Sequence, residues 1–404
     1  ATRSANGAHA IDGRLMTQAA SAHVWGFGDI GKMKLAPGGL RVDVQAPSLS
    51  RIVEGPTLGA ARVAGVLTGE WAAWRFAGSG NVAEVGLGGY SMARLGGPVE
   101  IERAKGAYVL KMNLQGAGGR GSGYAAAILG GAPMAKVIVG RLADRQVLIR
   151  QLDVQGPGLM LKASGARTLL GAYRFQGTAR VSNLAAVRNG VSGSVVIAGS
   201  AKKNAPETPW TIDVSATGDR LSLGLAELDR LLGEKPTLQA DASWQDGRLS
   251  VAQSRLKGSA VEAALSGSLG PGGSLAFNTN WSASGPFRAG PLDITGRASG
   301  TGLIGGTLLG PRLELLAEFE RIDVPRLTLR TARLTVVFLK SPDGSNGSAT
   351  LAATSDYGPA NARSDFRFSP GGIDLADLDV DAGGLKAKGS LSLRDRAPSQ
   401  ADLA

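Results

Sequence analysis

Residues 327–336 read LTLRTARLTV, an alternation of apolar and polar side chains that is typical of a half-buried β-strand. The same period of two recurs in residues 40–44 (LRVDV), 108–114 (YVLKMNL) and 211–214 (TIDV). Gly, Pro, Asp or Asn interrupts the alternation at intervals of roughly 8–12 residues, which is the spacing of turns in all-β proteins. The sequence therefore predicts an all-β chain of many short, mainly antiparallel strands.

Three stretches of the chain share one arrangement of strand, break and further alternation. They are residues 147–165 (VLIRQLDVQGPGLMLKASG), 248–269 (RLSVAQSRLKGSAVEAALSGSL) and 372–393 (GIDLADLDVDAGGLKAKGSLSL). Trp210, Trp244 and Trp281 also recur, at intervals of 34 and 37 residues. This loose self-similarity predicts one continuous repetitive segment over residues 1–404, which we interpret as a fragment of a longer chain.

Four short helical inserts are predicted near residues 48–53, 124–129, 182–189 and 221–233. In the last of these (LSLGLAELDRLLG), leucines at 225, 228, 231 and 232 lie on one helical face. Gly233 and then Pro236 are the expected stop signals. The Ser residues at 48 and 182 are expected to cap single turns. We expect these inserts to plug or edge the sheet.

Composition excludes several classes of function. The 404 residues include 60 Gly, two His and no Cys, so disulfides, thiolate nucleophiles and Cys-based metal sites are excluded together. The formal net charge of +11 is spread along the chain, so we interpret it first as an Arg-rich composition without a specific role. The functional alternative is attraction to anionic lipid headgroups. Nucleic-acid binding is disfavoured, because no basic helix or cluster of stacking aromatics accompanies the charge.

No group of side chains predicts catalysis, a metal ion or a cofactor. Residues 116–121 match a dinucleotide-binding glycine pattern but lack the βαβ unit and the acidic residue that it needs. Residues 26–32 (GFGDIGK) resemble a phosphate loop, but Met33 follows where a Mg²⁺-binding hydroxyl is required. His9 and His23 have no acidic partner in a recognisable motif. We therefore predict a protein that is not an enzyme.

The number of strands limits the architecture. Roughly 30 strands at about 4.8 Å spacing would give a sheet more than about 100 Å long, with one apolar face. Such a face needs cover, which a sandwich, a closed solenoid or a trough that holds an apolar ligand would provide. The inward positions are Leu and Val diluted by Ala and Gly, which favours an incompletely filled interior. The predicted fold is an elongated, curved, mainly antiparallel β-trough of loosely repeated strands.

Several stretches resemble the TamB branch of the AsmA-like family of Gram-negative envelope proteins, whose fold is described as a β-taco. Residues 177–197 (GTARVSNLAAVRNGVSGSVVI), 248–269 and 372–393 carry the likeness, which is one of pattern over nearly the whole chain. The resemblance implies a periplasmic protein, anchored in the inner membrane by an N-terminal helix that we expect to lie outside this fragment. It also implies phospholipid as cargo, carried towards the outer membrane, and a TamA-like Omp85-type outer-membrane barrel as partner. No catalytic residue is implied.

The alternation also predicts which side chains line the lipid groove, because a one-residue slip would move the whole set to the other face. The polar alternates Ser250, Thr328, Thr335, Asp374 and Ser392 are expected to face water. The predicted lining residues are Leu249, Val251, Val261, Leu265, Leu327, Leu329, Leu334, Val336, Ile373, Leu375, Leu391 and Leu393.

Three functions compete on these grounds. The first is a periplasmic bridge whose apolar groove conducts phospholipid acyl chains, which gain about 0.8 kcal/mol per CH₂ removed from water. The second is a chaperone-like scaffold for outer-membrane protein (autotransporter) assembly, working with an Omp85-type partner through strand addition at its edges. The third, a secreted solenoid adhesin or lyase, is disfavoured because Asn is sparse.

Overall fold

The fold is taken from a computed structural model, which describes residues 8–404 apart from 30, 52–56, 188–189, 290–291, 325–326, 342–343, 370–371 and 395–396. The chain divides into two compact units, Ala1–Thr208 (unit 1) and Pro209–Ala404 (unit 2). The described residues of each unit are almost entirely in β-strands, with one short α-helix.

Unit 1 is an antiparallel sheet in which successive strands are neighbours. The exceptions are β7, which pairs directly with β9, and the two-residue β8, which pairs with β6. Its strands are β1 (His9–Met16), β2 (Ser21–Asp29), β3 (Lys34–Ala46), β4 (Ala61–Glu70), β5 (Ala73–Leu87), β6 (Tyr90–Ala104), β7 (Ala107–Ala117), β8 (Arg120–Gly121), β9 (Met134–Arg141), β10 (Val147–Gln155), β11 (Leu159–Arg167), β12 (Tyr173–Val181) and β13 (Ser192–Lys203).

Unit 2 has the same plan, with β18 pairing directly with β20 and the short β19 also paired with β20. Its strands are β14 (Trp210–Ser222), β15 (Thr237–Gln245), β16 (Arg248–Lys257), β17 (Val261–Leu269), β18 (Leu275–Ser284), β19 (Phe287–Ala289), β20 (Leu292–Gly306), β21 (Pro311–Val324), β22 (Leu327–Ser341), β23 (Gly344–Ser355), β24 (Gly358–Ser369), β25 (Gly372–Ala382), β26 (Leu385–Arg394) and β27 (Ala397–Leu403).

Both units are open sheets. In the described part of the chain every strand pairing is antiparallel, and the sheet is not closed into a barrel. The prediction of an all-β, mainly antiparallel open sheet with few helices is therefore confirmed. Short connections make this topology natural, because antiparallel neighbours need only a tight turn between them.

The helical insert predicted at residues 124–129 is confirmed with those bounds, and the other three inserts are shorter than predicted. Helix α1 spans Tyr124–Leu129 and helix α2 spans Ala226–Leu232, while Leu49–Arg51 and Leu184–Ala186 form single 3₁₀ turns. The Asn183 side chain, rather than Ser182, caps the second 3₁₀ turn by accepting from the Ala185 N–H (3.1 Å). Residues 52–53 and 188–189 of the predicted inserts lie outside the described residues.

Helix α2 begins at Ala226 and not at residue 221, where the predicted insert begins, because the intervening residues make other contacts. Leu221 and Ser222 still belong to β14. The Asp229 carboxylate then accepts hydrogen bonds from the Leu223 N–H (2.6 Å) and from the Ser222 hydroxyl (2.7 Å), which fold the intervening segment back onto the helix. These two bonds hold the pKa of Asp229 below its ordinary value near 3.8, with the Leu223 bond as the larger cause.

An acid-sensitive attachment of α2 follows from the bonds of Asp229. Because the pKa is lowered in the folded state, the stabilisation is complete above about pH 4 and is lost as the pH falls through the lower folded value. We expect Asp229→Asn to speed amide exchange of residues 221–232 at neutral pH, measured by hydrogen–deuterium exchange. The control Glu234→Gln, whose exposed side chain makes no such bond within the described residues, should exchange like the wild type. Unchanged exchange in Asp229→Asn would contradict this account.

The three stretches singled out in the sequence have one structure. They form the hairpins β10–β11, β16–β17 and β25–β26, and each contains a β-bulge early in its first strand. The bulges follow Ile149, Val251 and Leu375. A bulge bends the strand and increases its twist, so each of these hairpins curves at the same place.

The two helices are attached to their units in the same way. In unit 1 the Gly158 N–H donates to the carbonyl oxygen of Ile128 at the end of α1 (3.1 Å), and the Ser182 N–H donates to that of Gly158 (3.1 Å). In unit 2 the Ala260 N–H donates to the Leu231 carbonyl oxygen in α2 (2.9 Å), and the Ser284 N–H donates to that of Ala260 (2.8 Å). Each helix therefore lies against the turns of the hairpins that follow it.

Candidate functional site

One face of the unit 2 sheet carries all twelve residues predicted to line a groove. Residues directly opposite each other in adjacent strands point to the same face, and the register links these positions strand by strand. Leu249 lies opposite Leu269, Val261 opposite Ala283, and Leu375 opposite Leu391. Leu334 and Val336 lie opposite Ala317 and Leu315. We call this surface, from β14 to β26, the apolar face of unit 2.

The apolar face continues through a change of parity within β22. Leu327 and Leu329, at odd positions, lie on the apolar face. Leu334 and Val336, at even positions, lie on the same face. A register shift between Arg330 and Arg333 makes this possible by inserting one extra residue. Thr331 takes a positive φ of 47° beside this shift.

The polar alternates lie on the opposite face. Ser250 lies opposite Ser243 and Ser268, and Thr335 lies opposite Thr350. Asp374 accepts hydrogen bonds from the Ser392 hydroxyl (2.8 Å) and from Arg394 (2.6 Å) on the neighbouring strand. This polar surface is what water requires of the outer side of a sheet that has one apolar face.

Most of the apolar face is not packed as a core. Of the twelve predicted residues only Leu329 is buried, at 6% exposure, and the other eleven are half-buried. The chain exposes 24300 Å². Two compact domains of half its mass would together expose about 18,000 Å². The excess surface is what open sheets without a second covering layer would expose, and it agrees with the half-buried state of the eleven residues.

A true core occupies only part of the unit 2 face. Ile294 and Ile322 are 1% exposed and pack with Phe287, Phe319 and Leu329. Leu231 of α2 packs against this cluster, and Arg230 of α2 donates to the carbonyl oxygen of Pro286 next to β19. The helix thus covers one margin of the face, and Leu329 belongs to this covered part rather than to the open part.

Unit 1 has an equivalent surface that the sequence analysis did not single out. Its apolar face includes a cross-strand row of Phe76, Ile101, Leu110, Val139 and Ile149, on β5, β6, β7, β9 and β10. All but Phe76 are half-buried. The alternation in residues 108–114 was the available signal, but the cross-strand partners come from other parts of the chain.

A cleft of about 600 Å³ lies on the opposite, polar face of unit 2. Its lining mixes the apolar residues Leu265, Leu303, Leu315, Leu316 and Val337 with polar side chains, which include Gln253, Asn278, Asn280, Thr301, Glu314 and Thr335. A hydrocarbon in this cleft would cover amide and carboxylate groups and deprive them of water, which is unfavourable unless they are hydrogen-bonded. The polar face is therefore the poorer site for an acyl chain.

Reactive groups are not concentrated anywhere in the described chain. In that part there is no group of three His, Asp or Glu residues arranged to hold a metal ion. His23 Nε2 lies 3.0 Å from Asp12 Oδ1, and the His23 ring stacks on Trp25 at 4.4 Å. Asp12 is thus a partner that the sequence did not reveal, on an exposed strand surface. Among the described helices, none has the length and apolar composition needed to span a membrane.

Comparison with known proteins identifies no relative. No family model matches the chain, and neither a curated protein nor a solved structure shows significant similarity to it. The resemblance in sequence pattern described above therefore has no support from these comparisons.

Proposed function

We propose that the apolar faces bind the acyl chains of phospholipids and conduct them along the sheet. The observation that carries this proposal is the exposure of the unit 2 face, where eleven of the twelve predicted lining residues keep access to solvent. Exposed contiguous apolar surface of this kind marks a binding site in soluble proteins.

The chemistry of the lining suits hydrocarbon. Leu, Val and Ile predominate, and an acyl chain needs no hydrogen bonds from its site. Each CH₂ group removed from water contributes about 0.8 kcal/mol. The apolar positions along a strand also span a distance close to the length of an acyl chain. From Leu110 to Leu114 on β7, four residues span about 14 Å, close to the roughly 15 Å of one leaflet's hydrocarbon.

The proposal also includes a cellular compartment and partners for the protein. It would act in the periplasm of a Gram-negative cell, attached to the inner membrane through a helix outside this chain, with an Omp85-type barrel at the outer membrane. These parts rest on the sequence resemblance alone. The scaffold function for outer-membrane protein assembly remains the competing hypothesis, and it does not require the apolar faces to hold lipid.

Native mass spectrometry of the purified chain tests the proposal directly. We expect adducts with the masses of phospholipids, retained after detergent-free purification and removed by organic extraction. The physical reason is that burial of two acyl chains on an otherwise hydrated apolar face is strongly favourable. A chain that never carries lipid, and takes up none when incubated with vesicles, would contradict lipid conduction.

A further inference from the structure

A row of cationic and aromatic side chains borders the apolar face of unit 1. The strand register places Trp74 opposite Arg103, Arg103 opposite Tyr108, and Tyr108 opposite Arg141. The row continues through Val147 on β10 and then, on β11 to β13, through three further residues at opposed positions: Arg167, Tyr173 and Lys203. We call these eight positions the margin row.

The margin row lies at the ends of its strands. Arg141, Arg167 and Lys203 are the last residues of β9, β11 and β13, while Val147 and Tyr173 are the first of β10 and β12. Moving inward along each strand, the next position on the same face is apolar or glycine: Ile101, Leu110, Val139, Ile149, Gly165, Phe175 and Ala201. The row is thus the boundary between an apolar surface and water.

Four of the margin-row side chains are cations. Among the described residues, none of Arg103, Arg141, Arg167 and Lys203 makes an ion pair with a carboxylate, although many other cations do, such as Lys111 with Glu102 (3.3 Å) on the opposite face. Their counter-charge is therefore not supplied by this part of the chain.

The guanidinium group of Arg103 is only partly hydrogen-bonded within the described residues. Its Nη1 donates to the Trp71 carbonyl oxygen (2.9 Å), but its Nε is buried without a hydrogen-bond partner within the described residues. A buried donor left unpaired is costly, so Arg103 has hydrogen-bonding capacity that the described part of the chain does not meet.

Aromatic rings hold the guanidinium groups in place. Arg103 lies over the ring of Tyr108 (5.6 Å to the centroid), and Arg167 lies over that of Tyr173 (5.5 Å). Trp74 contacts Tyr108 edge-on, with ring centroids 6.1 Å apart. Aromatic rings with polar edges, next to Arg and Lys, are the side chains that proteins place at the boundary between hydrocarbon and water.

We propose that the margin row binds the phosphates of lipids whose acyl chains lie on the apolar face of unit 1. This inference rests on the proposed function and adds the headgroup to it. The cations occur on β6, β9, β11 and β13, every second strand in the sheet, which separates them by about 10 Å. Successive lipids can therefore each meet a cation, and arginine can bind a phosphate through two parallel hydrogen bonds.

The test compares two triple variants of the full chain. One replaces Arg141, Arg167 and Lys203 of the margin row by Gln. The other replaces Lys136, Lys162 and Lys202, which lie on the same three strands but on the opposite face, so it removes the same charge from β9, β11 and β13. Arg103 is left intact because its bond to Trp71 also serves the fold. Delipidated protein is titrated with fluorescent phosphatidylglycerol and with a diacylglycerol of the same acyl chains.

We expect the wild type to prefer phosphatidylglycerol to diacylglycerol by about tenfold or more, which is the effect of one charge-assisted contact. The margin-row variant should lose this preference without a change in diacylglycerol binding, and the opposite-face variant should keep it. Inorganic phosphate at millimolar concentration should not displace the phospholipid, because the acyl chains supply most of the affinity.

Other results would overturn the headgroup assignment. Equal binding of the two lipids by the wild type, or an equal loss in both variants, would show that the row is not a phosphate site. Displacement by inorganic phosphate would indicate a site for soluble phosphate instead. Failure of the wild type to bind either lipid would remove the proposed function itself, and the margin-row inference with it.

Discussion

Glutamate in place of Val336 should abolish phospholipid transfer while the chain stays folded, whereas glutamate in place of Ile322 should unfold unit 2. Both residues point to the apolar face of unit 2, on neighbouring strands. Val336 is half-buried, and Ile322 is 1% exposed within the core cluster. The two substitutions add the same charge to the same face, so the difference between them measures how open the face is at each position.

The expected difference follows from access to water. A carboxylate at position 336 can remain hydrated, so the cost to folding should stay below about 2 kcal/mol, but it places a charge in the path of the acyl chains. A carboxylate at position 322 would be buried among Ile294, Phe319 and Leu329, where the core cluster offers it no water. That change belongs to the severe class, above about 4 kcal/mol.

The measurements are urea denaturation for stability and fluorescent lipid transfer between vesicles for function. Thr335→Glu is the matched control, because it places the same charge one residue away on the opposite face. It should leave both measurements near wild type. If Val336→Glu unfolds the chain as Ile322→Glu does, the interior is a filled core, and the scaffold hypothesis is favoured over lipid conduction.

Local alternation was enough to predict which side chains share a face within an uninterrupted stretch of a unit 2 strand. The pairs Leu249 and Val251, or Leu391 and Leu393, are separated by one polar residue, and a strand places such residues on the same side whatever its neighbours are. Within residues 327–336 a strict alternation would place Leu334 and Val336 on the opposite face from Leu327 and Leu329, yet all four lie on one face because β22 changes parity between Arg330 and Arg333. The structure has a bulge there, with Thr331 at a positive φ.

Features that depend on the pairing of distant segments could not be predicted from the sequence. The margin row joins Arg103, Tyr108 and Arg167 through the registers of several strand pairs, and no local pattern reports those registers. The start of α2 also depended on a specific contact, the Asp229 bonds to Ser222 and Leu223, rather than on the leucine spacing. The covering of Leu329 by the core cluster could not be predicted either, because it requires knowledge of where α2 and β19 dock.

The largest contrast is expected from photo-crosslinking at adjacent residues in living cells. A photoreactive amino acid at Val251 should capture phospholipid, and the same amino acid at Ser250 should not. The two positions are neighbours in β16 and point to opposite faces of the sheet. The contrast should be close to all or none, because a side chain on the polar face is separated from the acyl chains by the thickness of the sheet.

A second adjacent pair decides between the two faces of unit 2. Val336 faces the apolar side, and Thr335 lines the 600 Å³ cleft on the polar side. Capture at Val336 alone would place the lipid on the apolar face, and capture at Thr335 alone would place it in the cleft. Equal capture at both positions of both pairs would contradict any assignment of lipid to one face. Leu329 is unsuitable as a probe site because it is buried in the core cluster, and Asp374 is unsuitable as a control because its replacement would break the ion pair with Arg394.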